Sequence, residues 1–476
     1  MISMGPSSLS RRDLFVLAAR AGIGAAAVAA LPRAAFGGLQ AGATGKHSSL
    51  ISRSARPVDF ETPVELLDSF ITPNEAFFVR GHMTAPAVDA QTWQLSVEGD
   101  GREPRTLSVA DLRALPAVSV TATIECAGNG RAFFDPPVAG IQWRKGAVGT
   151  SRWTGARLRD VVAAAGAGTG AGYVWMSGGD RPLGTQPPFV RQVPWAKAMD
   201  ADTIVAYEMD GQPIPLLHGA PLRAIVPGWE GAYSVKWLQK LTVAAREHDG
   251  FWVASGYRYP VRRVLPGAAV DAKDQAPLTG LAVKSLITRP LEGTVVPPGP
   301  AAIAGFAWAG GSRIARVEIS IDAGASWSPA KLTGPLHKYA WRRFEHQVTL
   351  REGVHTVLSR ATDEHGATQP MVPAWNPSGY LWNAPDRIDV TVATSGAAAR
   401  PAPAQGQDPA ASQQPGGRTF DTACRVCHDD DLSAQQRLTR EGWGREVDKM
   451  IRWGARVPPD ERGPLVEYLA SRWGVR

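Results

Sequence analysis

Cys424-Arg425-Val426-Cys427-His428 is the most specific chemical pattern in this 476-residue chain. Two thiols three positions apart on one helical turn reach the two vinyl groups of a haem, and the adjacent imidazole becomes the proximal iron ligand. A zinc site or a chance match is the alternative. No Cys or His follows His428, so the tail cannot complete a four-ligand zinc site. Met450, the only Met of the tail, is the candidate sixth ligand of a haem c, because a His/Met pair raises the reduction potential as an electron acceptor requires. Otherwise Met450 packs on an amphipathic helix, and the iron is five-coordinate or uses Lys449.

The remaining cysteine stands in Thr123-Ile124-Glu125-Cys126-Ala127-Gly128-Asn129-Gly130-Arg131, at the end of a strand-like run entering a Gly-rich loop. A lone Cys is commonly a small buried hydrophobe. A loop position beside Arg131 would instead lower its pKa and favour the metal-binding thiolate. Both readings stand on these residues alone. Three cysteines in two places form no disulfide framework.

These groups need elements to hold them. Between 44 and 276, short apolar runs at Gln94-Val97, Ser119-Ile124, Val174-Met176 and Leu222-Val226 read as strands, and Ser108 caps a short helix to Leu115. The mixture predicts an α+β domain with long loops, suited to wrapping a large cofactor. Over 277–393 the texture changes. In Arg313-Asp322, residues Ala315, Val317, Ile319 and Ile321 share one face and Arg316, Glu318 and Ser320 the other, the period of a half-buried strand. Arg342-Leu350, Val354-Ala361 and Arg387-Val392 repeat the pattern, so an immunoglobulin-like β-sandwich is expected. Residues 394–417 are mostly Ala, Pro, Gln, Gly and Ser with no large apolar residue, a linker reaching about 25–30 Å. A small all-α domain over 418–476 then carries the Cys-x-x-Cys-His motif.

At the other end, Ser10-Arg11-Arg12-Asp13-Leu14-Phe15 precedes an Ala-rich apolar stretch, with small residues at Ala41-Gly42-Ala43. This resembles a twin-arginine export signal over 1–43 and predicts a periplasmic protein exported already folded. A membrane anchor is the alternative, but the stretch of about 16 residues is broken by Arg20, and a spanning helix needs roughly 20. No stable membrane insertion is expected after signal removal. The formal net charge of +7 contains no Lys/Arg run that would suit nucleic acid, although a diffuse basic surface suits a small anion.

Cys126-Ala127-Gly128-Asn129 resembles the molybdenum-ligating segment of the sulfite oxidase family, which also contains plant-type nitrate reductases and bacterial sulfite and sulfane dehydrogenases. Further stretches agree in the family's order: Phe77-Phe78-Val79-Arg80-Gly81-His82, Arg152-Trp153-Thr154-Gly155, His218-Gly219-Ala220-Pro221-Leu222-Arg223, Ser234-Val235-Lys236-Trp237 and Gly379-Tyr380-Leu381-Trp382. Gly81 departs from the pattern, standing where animal enzymes tend to have Asn. The likeness covers roughly residues 57–393.

The resemblance implies a molybdenum–molybdopterin enzyme in which Cys126 ligates molybdenum. Phe78, Arg80, His82, Asp180, His218, Arg223, Ser234, Val235 and Lys236 would hold the pterin and its phosphate, a dianion that cationic donors suit. Arg80, Arg131, Trp143 and Tyr257 would form the substrate pocket, with Arg387 from the second domain. The implied reaction is oxygen-atom transfer that turns sulfite into sulfate, with electrons passing through the haem to an external cytochrome c, soluble or membrane-bound. The second domain resembles the family's dimerisation module, so a homodimer is expected. Rival readings are oxidation of another sulfur compound, reduction of nitrate or sulfoxides, and a non-catalytic electron-transfer or carrier-binding subunit. No Rossmann fingerprint accompanies Gly128-Asn129-Gly130, so no pyridine-nucleotide donor domain is expected.

Overall fold

Val120, Ala122 and Ile124 are buried along the strand Ala117–Glu125, and from Ala122 onward the residues of its other face are buried as well. The first half follows the alternation of a one-sided strand. The second half loses its solvent face because the sandwich covers it: Thr123 donates its N–H to Tyr339 O at 2.8 Å, and its hydroxyl accepts from Trp341 N at 2.8 Å. The computed structural model describes residues 44–99, 102–168, 172–394 and 414–475. The expected export signal and nearly all of the expected linker lie outside them.

Ala117–Glu125 pairs antiparallel with Val148–Arg157, which pairs with Ile204–Met209; Gln212–Pro213 and Arg223–Ile225 flank the latter. A second five-stranded sheet runs in the order Arg102–Ser108, Gln94–Gly99, Leu238–Ala244, Tyr173–Gly178, Val190–Pro194. Leu95, Val97, Val161, Met176, Val205 and Leu241 pack in the core between them. The helix Val109–Ala114 begins as expected, in a capping box in which Ser108 and Asp111 each satisfy the other's backbone N–H. Helices are few and short, so this unit is mostly β and the expected α+β balance shifts accordingly.

The sandwich packs the sheet Lys284–Arg289, Gly299–Trp308, Arg342–Leu350, Lys331–Thr333 on a second sheet. That sheet contains Asp386–Val392, Gly353–Asp363 and Ile314–Ser320. In Ile314–Ser320 the expected inner face holds at Val317 and Ile319, but Ala315 is exposed. The register shifts between Ile314 and Arg316, and that irregularity turns the residue between them outward.

Residues 417–473 form the helices Gly417–Thr419, Phe420–Cys424, Asp430–Ala434, Arg440–Arg452 and Arg462–Trp473. Phe420, Trp443, Val447, Leu465 and Leu469 make their core. This unit lies against the first one. The Trp453 ring packs edge-on to Phe251 at 5.4 Å and tilted to Trp252 at 6.0 Å, while Thr185 N donates to Trp453 O at 3.1 Å. Gln435 and Gln436 reach the backbone of Arg53, Gly140 and Gln142 at 2.7–3.2 Å. Among the described residues no helix is long and apolar enough to cross a membrane.

Candidate active site

Cys126 leaves the strand at Glu125, and its loop closes tightly: Cys126 N donates to Ala147 O at 2.9 Å and Asn129 N donates to Cys126 O at 2.8 Å. The turn ends in the short helix Arg131–Phe133. A Cβ on Gly128 would lie 2.5 Å from the Arg131 guanidinium, so glycine there makes room for the cation. The sequence reading expected Arg131 to lower the thiol's pKa. In the structure burial dominates and raises it, against the opposing pull of Arg80 and Arg131. Burial thus favours the neutral thiol, and a bound cation would favour the thiolate.

Arg80, Arg131 and Tyr257 converge with Cys126 on one cavity of about 460 Å³. Arg80 is held by Asp59 at 3.1 Å, and Arg131 donates to Ile141 O at 2.9 Å and Ser378 O at 3.2 Å. Tyr257 has φ of 54°, a left-handed conformation that costs about 1 kcal/mol or more for a residue with a Cβ. Its hydroxyl lies 2.5 Å from His82 Nε2.

Two expected pocket residues are placed elsewhere. Trp143 is fully buried and edge-on to Phe78 at 6.5 Å, so it backs the wall instead of forming it. Arg387 points out of the sandwich and pairs with Asp389 at 3.3 Å. Its neighbours Asp386 and Ile388 take the inward positions of that strand, and the period of two leaves Arg387 outside. The sandwich's contribution is instead Tyr380, whose ring stacks on Tyr257 at 5.6 Å and lies 5.4 Å from the Arg131 guanidinium over it.

A second, adjoining pocket gathers the expected pterin residues: Phe78, Arg80, His82, Asp180, His218, Arg223, Ser234, Val235 and Lys236 all line it. Arg223 donates only to carbonyls, His218 O at 3.0 Å and Ser234 O at 3.1 Å, and Lys236 donates to Leu217 O at 3.1 Å. Among the described residues neither cation has a carboxylate at salt-bridge distance. Burial accordingly pushes Arg223 down to about 9 and Lys236 down to about 7. Burial also lifts Asp180 to about 6 and holds His82 and His218 well below the ordinary imidazole value. Two desolvated cations facing carbonyls form a receptor for a phosphate dianion.

Cys424, Cys427, His428 and Met450 line the same cavity as Cys126. Neither cysteine is in a disulfide. His428 Nδ1 lies 3.0 Å from Asp429 O, which directs Nε2 away from the backbone. Lys449, the other candidate ligand on this helix, is paired with Glu446.

Sequence reading missed several residues here. Lys46 lies 2.8 Å from His218 Nε2 and is pushed down to about 7 by burial. Glu230, lifted to about 7 by burial, faces Arg191 at 3.6 Å behind Tyr257. Tyr380 stands inside the motif Gly379-Tyr380-Leu381-Trp382, whereas Lys46, Glu230 and Arg191 carry no local signal, because chain crossings bring them in.

Comparison with known proteins agrees with this layout. Residues 82–252 match the oxidoreductase molybdopterin binding domain family, and residues 275–393 match the Mo-co oxidoreductase dimerisation domain family. Mouse mitochondrial sulfite oxidase is 39% identical over 73% of this chain; the match spans 66% of that protein's own length, just under two thirds. Chicken sulfite oxidase is 37% identical over 72% of this chain and 78% of its own length. The crystal structure of the sulfane dehydrogenase SoxCD from Paracoccus pantotrophus superposes with a TM-score of 0.62 at 27% identity, covering 71% of this chain and 87% of that one.

Proposed function

Because the chain belongs to the sulfite oxidase family of molybdopterin oxidoreductases, we propose that it oxidises sulfite to sulfate and passes the electrons through a haem c of its own. The balanced change is sulfite plus water giving sulfate, two electrons and two protons. The observation that carries this reading is the shared cavity, lined both by Cys126, Arg80, Arg131 and Tyr257 and by Cys424, Cys427, His428 and Met450.

The residues fit both cofactors. Arg223 and Lys236 suit an anion, and His218, Asp180 and Ser234 add polar groups suited to a pterin. Cys126 is the one thiol of that wall. When bound, the molybdenum centre supplies oxygen-atom transfer and accepts an electron pair. Arg80 and Arg131 bind and orient the oxyanion, and their fixed positions mean little reorganisation during reaction. Tyr257 donates a hydrogen bond to the oxygen being transferred, and Tyr380 with Trp252 narrows the approach of water. Cys424 and Cys427 would hold a haem c through thioethers, His428 and Met450 would supply iron ligands, and Phe420, Val447 and Leu465 would give it an apolar lining. Export to the periplasm by the twin-arginine route, a homodimer built on the sandwich and an external cytochrome acceptor complete the proposal.

Sulfite-driven reddening of the full-length protein tests it, together with metal analysis giving about one molybdenum per haem. Cys126→Ser should abolish sulfite turnover and leave haem absorbance intact; retained turnover would refute the assignment. A second reading, oxidation of a sulfur atom bearing an organic substituent, is favoured by the aromatic wall of Trp252, Tyr257 and Tyr380. Parallel assays with sulfite, thiosulfate and a small organosulfur compound separate the two, and a nitrate assay with reduced dye tests the reverse direction.

A further inference from the structure

Glu125 immediately precedes Cys126 and is only 2% exposed. Its Oε1 accepts from Lys284 Nζ at 2.6 Å and Asn129 Nδ2 at 2.9 Å, and its Oε2 accepts from the Trp308 indole N–H at 2.9 Å. Lys284 and Trp308 belong to the sandwich, where they face each other across two paired strands. Lys284 also donates to Asn129 O at 3.0 Å. Asn129 in turn holds the cysteine: its N–H donates to Cys126 O at 2.8 Å, while its Oδ1 accepts from Ala147 N at 3.1 Å. Ala147 O accepts from Cys126 N at 2.9 Å, which closes the ring around Cys126.

We propose that Lys284 is a positioning residue for the Cys126 thiolate, so that the sandwich aims the metal ligand as well as serving as a dimerisation module. The inference rests on the functional reading only in taking Cys126 as a metal ligand. Glu125 is a buried carboxylate, and among the described residues Lys284 is its one cationic partner. Without Lys284 the carboxylate loses its counter-charge and Asn129 O loses a donor in the same dry space. The loop relaxes, and the sulfur shifts relative to the pterin pocket. Partners that orient a ligand without touching the metal commonly control affinity or activity about 10- to 100-fold.

The test compares full-length Lys284→Met, Lys284→Arg and the double variant Glu125→Gln/Lys284→Met with the parent. Molybdenum per chain, the visible absorption of the metal–thiolate bond, and kcat and KM per molybdenum are measured. For Lys284→Met we expect a loss of about tenfold or more in metal content or kcat per metal, with KM for sulfite within about twofold. Lys284→Arg, which keeps the charge and donors, should restore both. The double variant removes both buried charges, so it should fold even where Lys284→Met does not, and still show the loss. A folded double variant with parental metal content, absorption and kcat overturns the inference, as does an arginine variant no better than the methionine one. Metal content and absorption are read without sulfite. A parent inactive on sulfite whose Lys284→Met variant loses metal would therefore sink the substrate reading alone.

Discussion

The Tyr257 hydroxyl lies 2.5 Å from Nε2 of His82, on the wall of the cavity that also contains Cys126. Burial first, then nearby charge, pushes the phenol well above and the imidazole well below their ordinary values. Tyr257 therefore remains protonated and His82 neutral around neutral pH, so the pair stays a donor–acceptor couple. Tyr257→Phe should lower kcat about tenfold, the worth of one buried hydrogen bond, without adding a titration from about pH 6 to 9. Single-turnover haem reduction by sulfite checks this; a kcat equal to the parent's would remove Tyr257 from the chemistry.

Arg131 spends its N–H groups on Ser378 O and Ile141 O and leaves its charge facing the cavity. Arg131→Gln should raise KM for sulfite about 10- to 100-fold, the loss of a charge-assisted contact. Because Gly128 and Gly140 crowd the guanidinium, the shorter glutamine should fit without a clash. Steady-state kinetics with an artificial acceptor would show an unchanged KM if the anion binds elsewhere.

Removing the molybdenum cofactor exposes the cost of Lys236. Burial, aided by Arg223, lowers its pKa to about 7, whereas the unfolded ammonium titrates near about 10.4. Between these values the unfolded chain binds more protons, so the cofactor-free protein should gain stability as pH rises through that window. A bound phosphate keeps Lys236 charged and cancels this gain. Thermal melts of cofactor-free protein at several pH values should show the slope, reduced in Lys236→Met; identical slopes would contradict it.

Trp453 anchors the C-terminal helices between Phe251, Trp252 and the backbone of Thr185. Trp453→Ala should slow sulfite-driven haem reduction about tenfold or more, as loss of an aromatic anchor does at an interface. Dye-coupled sulfite oxidation should fall far less, since Trp453 reaches the wall of the Cys126 cavity through Trp252. Equal slowing of both rates would mean that the anchor serves the first unit's fold and not docking.

Much of this was legible along the chain. Cys126, Arg131, His218, Arg223 and Lys236 stand in contiguous motifs, and the structure brings them to two adjoining pockets. The strand Arg342–Leu350 runs where alternation placed it. Arg387 was misplaced because the resemblance outweighed the alternation: in Arg387-Ile388-Asp389-Val390 the period of two already sets Arg387 on the polar face, and the structure keeps it there. Ala315 failed for a different reason, an irregularity that no period of two announces.

The sequence alone determined the chemistry: which thiols, imidazoles and guanidinium groups exist, and the spacing that suits a haem and a pterin-held metal. Tertiary structure decided which of them meet. Lys284 and Trp308 reach Glu125 from positions 159 and 183 residues away, and Gln435 reaches Arg53 across 382. Such contacts arise from packing two sheets and a helical unit around shared dry space, where an unpaired buried charge is too costly to persist. That constraint acts on the folded whole, so no local stretch of residues records it.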